Sequence, residues 1–64
     1  MREQELWRRL NAHIGSSLVT MWSRDVVLTD LGDRSVREAL DAGVPAQQVW
    51  RAVWAFLDLP ASER

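Results

Sequence analysis

The chain is 64 residues long, 47% apolar and 27% charged, with nine acidic side chains, eight basic ones that are all arginine, and a net charge of −1. That length holds one domain. The absence of cysteine rules out a disulfide scaffold, a zinc ribbon and thiol chemistry, and the balanced charge speaks against a nucleic-acid coat or a polybasic membrane anchor. A core this small supplies only about 3–5 kcal/mol of net stability, so the four tryptophans are expected to provide much of its buried area. The start, Met1-Arg2-Glu3-Gln4-Glu5, leads into an amphipathic stretch and not into an apolar leader. The longest apolar run, Ala52 to Leu57, falls far short of the ~20 residues of a membrane span. A cytoplasmic location is the expectation.

The first helix is predicted from about Glu3 to Ile14. Leu6, Trp7, Leu10 and Ile14 form one apolar stripe, and Glu5 stands four residues before Arg9, the favourable order for an ion pair. Gly15 stops the helix, and Ser16 or Ser17 caps the next one. A second helical region reads from about Ser17 to Leu31. Leu18, Val19, Trp22, Val26 and Thr29 lie on one side, and Met21, Val27, Leu28 and Leu31 widen the stripe. So broad an apolar surface predicts a central position. Asp25 offers a point at which the helix breaks and restarts.

Ser35-Val36-Arg37-Glu38 is a capping box, which opens a third helix with Val36, Ala39 and Leu40 inward and Gly43 at its end. The last helix starts near Pro45, whose ring suits a first turn. It presents Val49, Trp50, Val53, Trp54 and Leu57 on its apolar face and stops before Leu59-Pro60. Residues 61–64 read as a frayed tail. No alternating strand pattern competes. The fold class is therefore all-α: one domain over residues 1–64, a compact bundle of three to five short helices that includes a helix-turn-helix-like αα-hairpin.

The chemistry-bearing residues are sparse. His13, the one histidine, sits at the end of the first helix, where it serves capping or packing. The carboxylate pairs Asp30/Asp33 and Glu38/Asp41 read as solvated helix ends. No catalytic, cofactor or metal site is expected, because zinc needs a His or Cys cluster and Asp30-Leu31-Gly32-Asp33 is too short for a calcium loop. The spacing Ala39-x3-Gly43-x5-Val49 matches the core positions of a helix-turn-helix, with Ala46, Gln47, Gln48, Trp50 and Arg51 offered to a groove. Glu38 occupies a position that the motif usually buries, and little basic charge surrounds it. Arg8 and Arg9, with Arg2, form a modest cationic patch for an acidic partner or nucleic acid. Of Trp50, Trp54 and Phe56, not all can point inward, and an exposed aromatic among them marks a protein contact.

The run Arg24-Asp25-x-Val27-Leu28-x-x-Leu31-Gly32-x-Arg34-Ser35-x-x-Glu38-Ala39-Leu40-x-x-Gly43, followed by Val49-Trp50-Arg51-Ala52, resembles a short actinobacterial family of helical proteins of unknown function. With Leu6-Trp7-Arg8 the likeness covers nearly the whole chain. It implies a cytoplasmic all-helical protein whose genes often sit near those of homologous recombination, and it carries over no catalytic residue. This sequence departs from the family at Val44-Pro45-Ala46-Gln47-Gln48, where Asp-Pro and charged residues are usual, and at Trp54, where Cys is frequent. Asp25 and Arg34 are expected to pair across the Gly32 turn, or Arg34 to bond the last carbonyls of the second helix. Trp7, Leu10, Trp22, Asp25, Leu28, Leu31, Arg34, Ser35, Glu38, Leu40, Gly43, Val49, Trp50 and Val53 are assigned structural roles. The functional expectation is a small non-enzymatic interaction or adaptor protein that acts through a helix face, on a protein partner or on itself. The alternative is a degenerate helix-turn-helix that binds DNA.

Overall fold

A computed structural model describes all 64 residues. Four α-helices carry the fold: α1 (Glu3–Ile14), α2 (Val19–Asp25), α3 (Val36–Asp41) and α4 (Ala46–Phe56). Two two-residue strands, β1 (Val27–Leu28) and β2 (Arg34–Ser35), lie between α2 and α3, and 3₁₀ turns occupy Thr29–Leu31 and Ala61–Glu63. The expected mostly helical single core is thus present, with one small sheet added. No helix is long and apolar enough to cross a membrane.

Eleven apolar residues form the buried core: Leu6 and Leu10 from α1, Val19 from α2, Leu28 and Leu31, Val36 and Ala39 from α3, and Val49, Trp50, Ala52 and Val53 from α4. Trp50 is the largest of them and is fully enclosed. Trp7, Ile14, Trp22, Leu40, Trp54 and Leu57 pack against this core and stay half-buried. Trp7, Trp22 and Leu40 are therefore border residues, because helices of two to three turns in so small a body leave one flank of each wide side chain uncovered.

The predicted second helix is shorter than its apolar spacing suggests. It ends at Asp25, and Val26 turns extended (φ −81°, ψ 123°). The β-branched pair Val26-Val27 is stiff and favours extended backbone. Val27 pairs with Ser35 and Leu28 with Arg34 in antiparallel register, so Leu28 reaches the core from a strand while Val27 faces solvent. The turn of this hairpin needs positive φ at Gly32 (71°) and Asp33 (60°). Asp25 does not begin a new helix. Nor do Ser16 and Ser17 cap α2: its cap is Leu18, without a side-chain bond, and the Gly15 carbonyl accepts from the Leu18 and Val19 N–H groups. Met21 and Leu18, expected to broaden a buried stripe, are 47% and 52% exposed.

The capping box on α3 forms as the sequence predicts. The Glu38 N–H donates to the Ser35 hydroxyl (3.1 Å) and the Ser35 N–H donates to the Glu38 carboxylate (2.9 Å). Gly43 adopts positive φ (89°), which lets the chain leave α3 and re-enter as α4, with Pro45 as the N-cap. The predicted Asp25–Arg34 pair is absent. Asp25 accepts from the neighbouring Arg24 (3.2 Å), because Arg34 is carried away from it in β2 and is exposed.

The tail is not frayed. The indole N–H of Trp50 donates to the Glu63 and Arg64 carbonyls (3.0 and 3.1 Å), and that of Trp54 donates to the Pro60 carbonyl (2.9 Å). The tryptophans that close the core also pin the last turn over it.

Candidate functional site

The predicted site residues divide between two regions, one on α4 and one on α1. On α4, Val49 and Trp50 are buried and Gln47 half-buried, while Gln48 and Arg51 are exposed, so Trp50 is not open to a groove. Ala39 and Val49 are both fully enclosed where α3 and α4 meet. Arg51 enters no ion pair.

On α1, Arg8 and Arg9 do not act as a free cationic patch, because both are tied to one carboxylate. Arg8 reaches both oxygens of Glu5 (2.6 and 2.8 Å), and the Arg9 Nε donates to Glu5 Oε2 (3.0 Å). Glu3 is used differently: it accepts from the Trp7 indole N–H at 3.4 Å. The hydrogen bond from Arg8, then that from Arg9, holds the Glu5 carboxyl below the usual carboxylate range. The same bond pushes the Arg8 guanidinium further into its charged form. This cluster continues to the C-terminal turn. Arg9 also lies over the Trp50 ring (5.4 Å) and donates to the Arg64 carbonyl (3.3 Å). His13 faces Trp50 (centroids 5.8 Å apart) and meets Glu63 at 3.3 Å. A cleft of about 310 Å³ opens here, but Glu5 and Glu63 stand among its arginines. The arrangement joins the tail to α1, and its two carboxylates offset two of its three arginines.

The exposed aromatic expected among Trp50, Trp54 and Phe56 is Phe56, and two contacts escaped the sequence reading. Phe56 is 55% exposed and meets Trp22 edge-on (6.1 Å, 64°). It therefore joins α4 to the outer face of α2, where Leu18, Met21 and Trp22 stand at i, i+3 and i+4. Beside it a cleft of about 170 Å³ is lined by Leu28, Thr29, Asp30, Ala52, Ala55 and Phe56. The other contact is that of Arg37, whose guanidinium lies 5.0 Å from the Trp7 ring centre. The apolar spacing of α2 holds the first signal, though it reads equally as core. The second has no local signal, since residues 7 and 37 meet only in the fold. No group of three or more His, Cys, Asp or Glu side chains comes together.

One family model, described as a protein of unknown function (DUF3046), matches residues 1–62. No curated protein and no solved structure matches the chain.

The Glu5 cluster has a signed pH dependence. A carboxyl whose folded pKa is depressed contributes stability that is present above its unfolded pKa and is lost as pH falls through the folded one. Glu5→Gln is expected to lower the denaturant midpoint at pH 7, with the gap to the wild type closing as the pH is taken to about 2, below the carboxylate range. Urea titrations at both pH values read this directly. A gap that persists unchanged at low pH contradicts it.

Proposed function

The chain belongs to the DUF3046 family of proteins of unknown function, and from that premise we propose that it is a non-enzymatic interaction module. In this reading it holds one amphipathic helix of a partner protein on the outer face of α2 and the end of α4. The observation that carries it is the set of apolar side chains Leu18, Met21, Trp22 and Phe56 left uncovered on these elements. Three of these side chains are about half exposed or more, and the edge contact of Trp22 and Phe56 bridges the two helices. Large exposed apolar groups set together are costly unless a partner covers them, and aromatic residues anchor such contacts. A non-enzymatic role is supported by the two groups whose ionisation is displaced, Glu5 and Arg8, since they are committed to each other.

Area and charge favour a helix over a second copy of the chain. The whole accessible surface is 4188 Å², so one of six sides offers roughly 700 Å², and the patch covers only part of that. A standard stable interface takes about 800 Å² from each partner. A single helix laid in a groove needs less and is read through apolar i, i+3, i+4 anchors. Asp30 closes one end of the cleft beside Phe56, so the partner helix should carry Lys or Arg at that end.

A photo-crosslinking residue placed at 56, at 21, or at 48 as an off-face control tests this in the source cell. The expected result is one protein joined from positions 56 and 21 but not 48. Its purified form should bind the wild type and lose about tenfold or more with Phe56→Ala. No adduct, equal adducts from 48, or a second copy of the chain as the sole adduct overturns the reading.

A second reading, DNA binding through α4, is favoured by exposed Gln48 and Arg51 and by the lack of any carboxylate paired with Arg51. It predicts a weak anisotropy increase with a mixed-sequence duplex at low salt, falling steeply as salt is raised and reduced in Arg51→Ala. No change at low salt contradicts it.

A further inference from the structure

A third cleft, of about 130 Å³, lies among α1, α2 and α3 and is lined by Trp7, Thr20, Ser23, Arg24 and Arg37. It is the one cleft of the molecule that holds cations and no carboxylate; the other three include Glu5, Glu63 or Asp30. Arg37 enters no ion pair. Its guanidinium is parked over the Trp7 ring, which occupies its flat face and leaves its N–H edge free for an acceptor. The ring therefore preorganises the cation without neutralising it. Arg24 pairs only with the adjacent Asp25, and both side chains are more than half exposed (67% and 53%). Such a surface pair contributes at most about 1 kcal/mol, so it yields readily to a better anion. Ser23 is buried, and its hydroxyl donates to the Thr20 carbonyl, which fixes the floor of the cleft. The Thr20 hydroxyl makes no hydrogen bond within the chain and is the neutral donor left over.

We propose that this cleft binds a phosphate dianion, either free phosphate or a phosphate monoester. Two guanidinium groups, Arg37 unpaired and Arg24 held only by an exposed surface pair, match a group that carries about −1.5 to −2 at neutral pH. Their planar donor forks suit its oxygens, and such charge-assisted bonds are the strong ones. A monoanionic carboxylate would leave one cation unanswered. This site uses none of the residues of the α2/α4 face, so its failure and that of the helix-binding reading are separate results.

The test is a titration followed by ¹H–¹⁵N spectra at pH 7.5 and constant ionic strength. Sodium phosphate, O-phosphoserine and sodium acetate are the three probes. The expected result is saturable movement of the Trp7 indole N–H and of the Arg24 and Arg37 Nε–H signals with phosphate, phosphoserine or both. Saturation by phosphate alone assigns free phosphate as the ligand, and saturation by phosphoserine assigns a monoester. Arg37→Gln should raise the midpoint about tenfold or more, and Arg9→Gln should leave it unchanged. Arg24→Gln, which spares the contact with Trp7, should also raise the midpoint, so the site can be judged even if Arg37→Gln does not fold. Shifts that stay linear, a midpoint indifferent to both the Arg24 and Arg37 variants, or equal saturation by acetate overturns the proposal.

Discussion

One buried indole organises the molecule. Trp50 lies in the middle of α4 with no exposed surface, and its ring takes up the space between α4 and α1. Arg9 and His13, one turn apart on α1, both lie against it. A buried indole needs an acceptor for its N–H, and the only ones it finds are the carbonyls of Glu63 and Arg64. That single polar requirement draws the last turn of the chain onto the core. Trp54 repeats the device one turn later with the Pro60 carbonyl, and Arg64 lies over its ring. A domain without cysteine thus ties its end to its middle through tryptophan, and every buried polar side-chain atom has a partner.

What was legible in the sequence was local. The Ser35–Glu38 capping box is written in four consecutive residues and forms as read. The α1 and α4 stripes have the helical period, and Glu5–Arg9 needs only a spacing of four. The hairpin at Val27–Ser35 was hidden because Leu28 and Leu31 fall at helical intervals from Val19 and Trp22, so an extended segment that sends them to the same core looks like more helix. The tail was misread for a different reason: its acceptors meet donors 13 and 14 residues earlier, a link with no spacing rule behind it. Which aromatic of α4 faces inward was equally illegible. Trp50, Trp54 and Phe56 become buried, half-buried and exposed only once α1 and α2 have taken their places.

The candidate surfaces follow the same division. The Glu5–Arg9 pair follows from the spacing of four, and the fold adds Arg8 to the same carboxylate. Arg37, named in the sequence only within the capping box, lies over the Trp7 ring and enters no ion pair. The aromatic stripe of α2 read as core, yet its outer half, joined to Phe56, is the apolar surface with nothing over it. Arg37 and Phe56 meet their partners, Trp7 and Trp22, on other helices, and those contacts have no local signal, whereas Glu5 shares a helix with Arg8 and Arg9. Membership of the DUF3046 family fixes what the chain belongs to, and the physical chemistry of its surface supplies the functional proposals.

The central claim, that the Trp50 N–H orders the end of the chain, is tested most directly by backbone ¹⁵N relaxation in Trp50→Phe. Phenylalanine keeps an aromatic ring between α1 and α4 and removes the donor. The account predicts that residues 61–64 are ordered in the wild type, with order parameters near those of the helices (about 0.85), and fall below about 0.6 in the variant while α1 to α4 keep their values. A tail that is equally ordered in both proteins, or already mobile in the wild type, would contradict it.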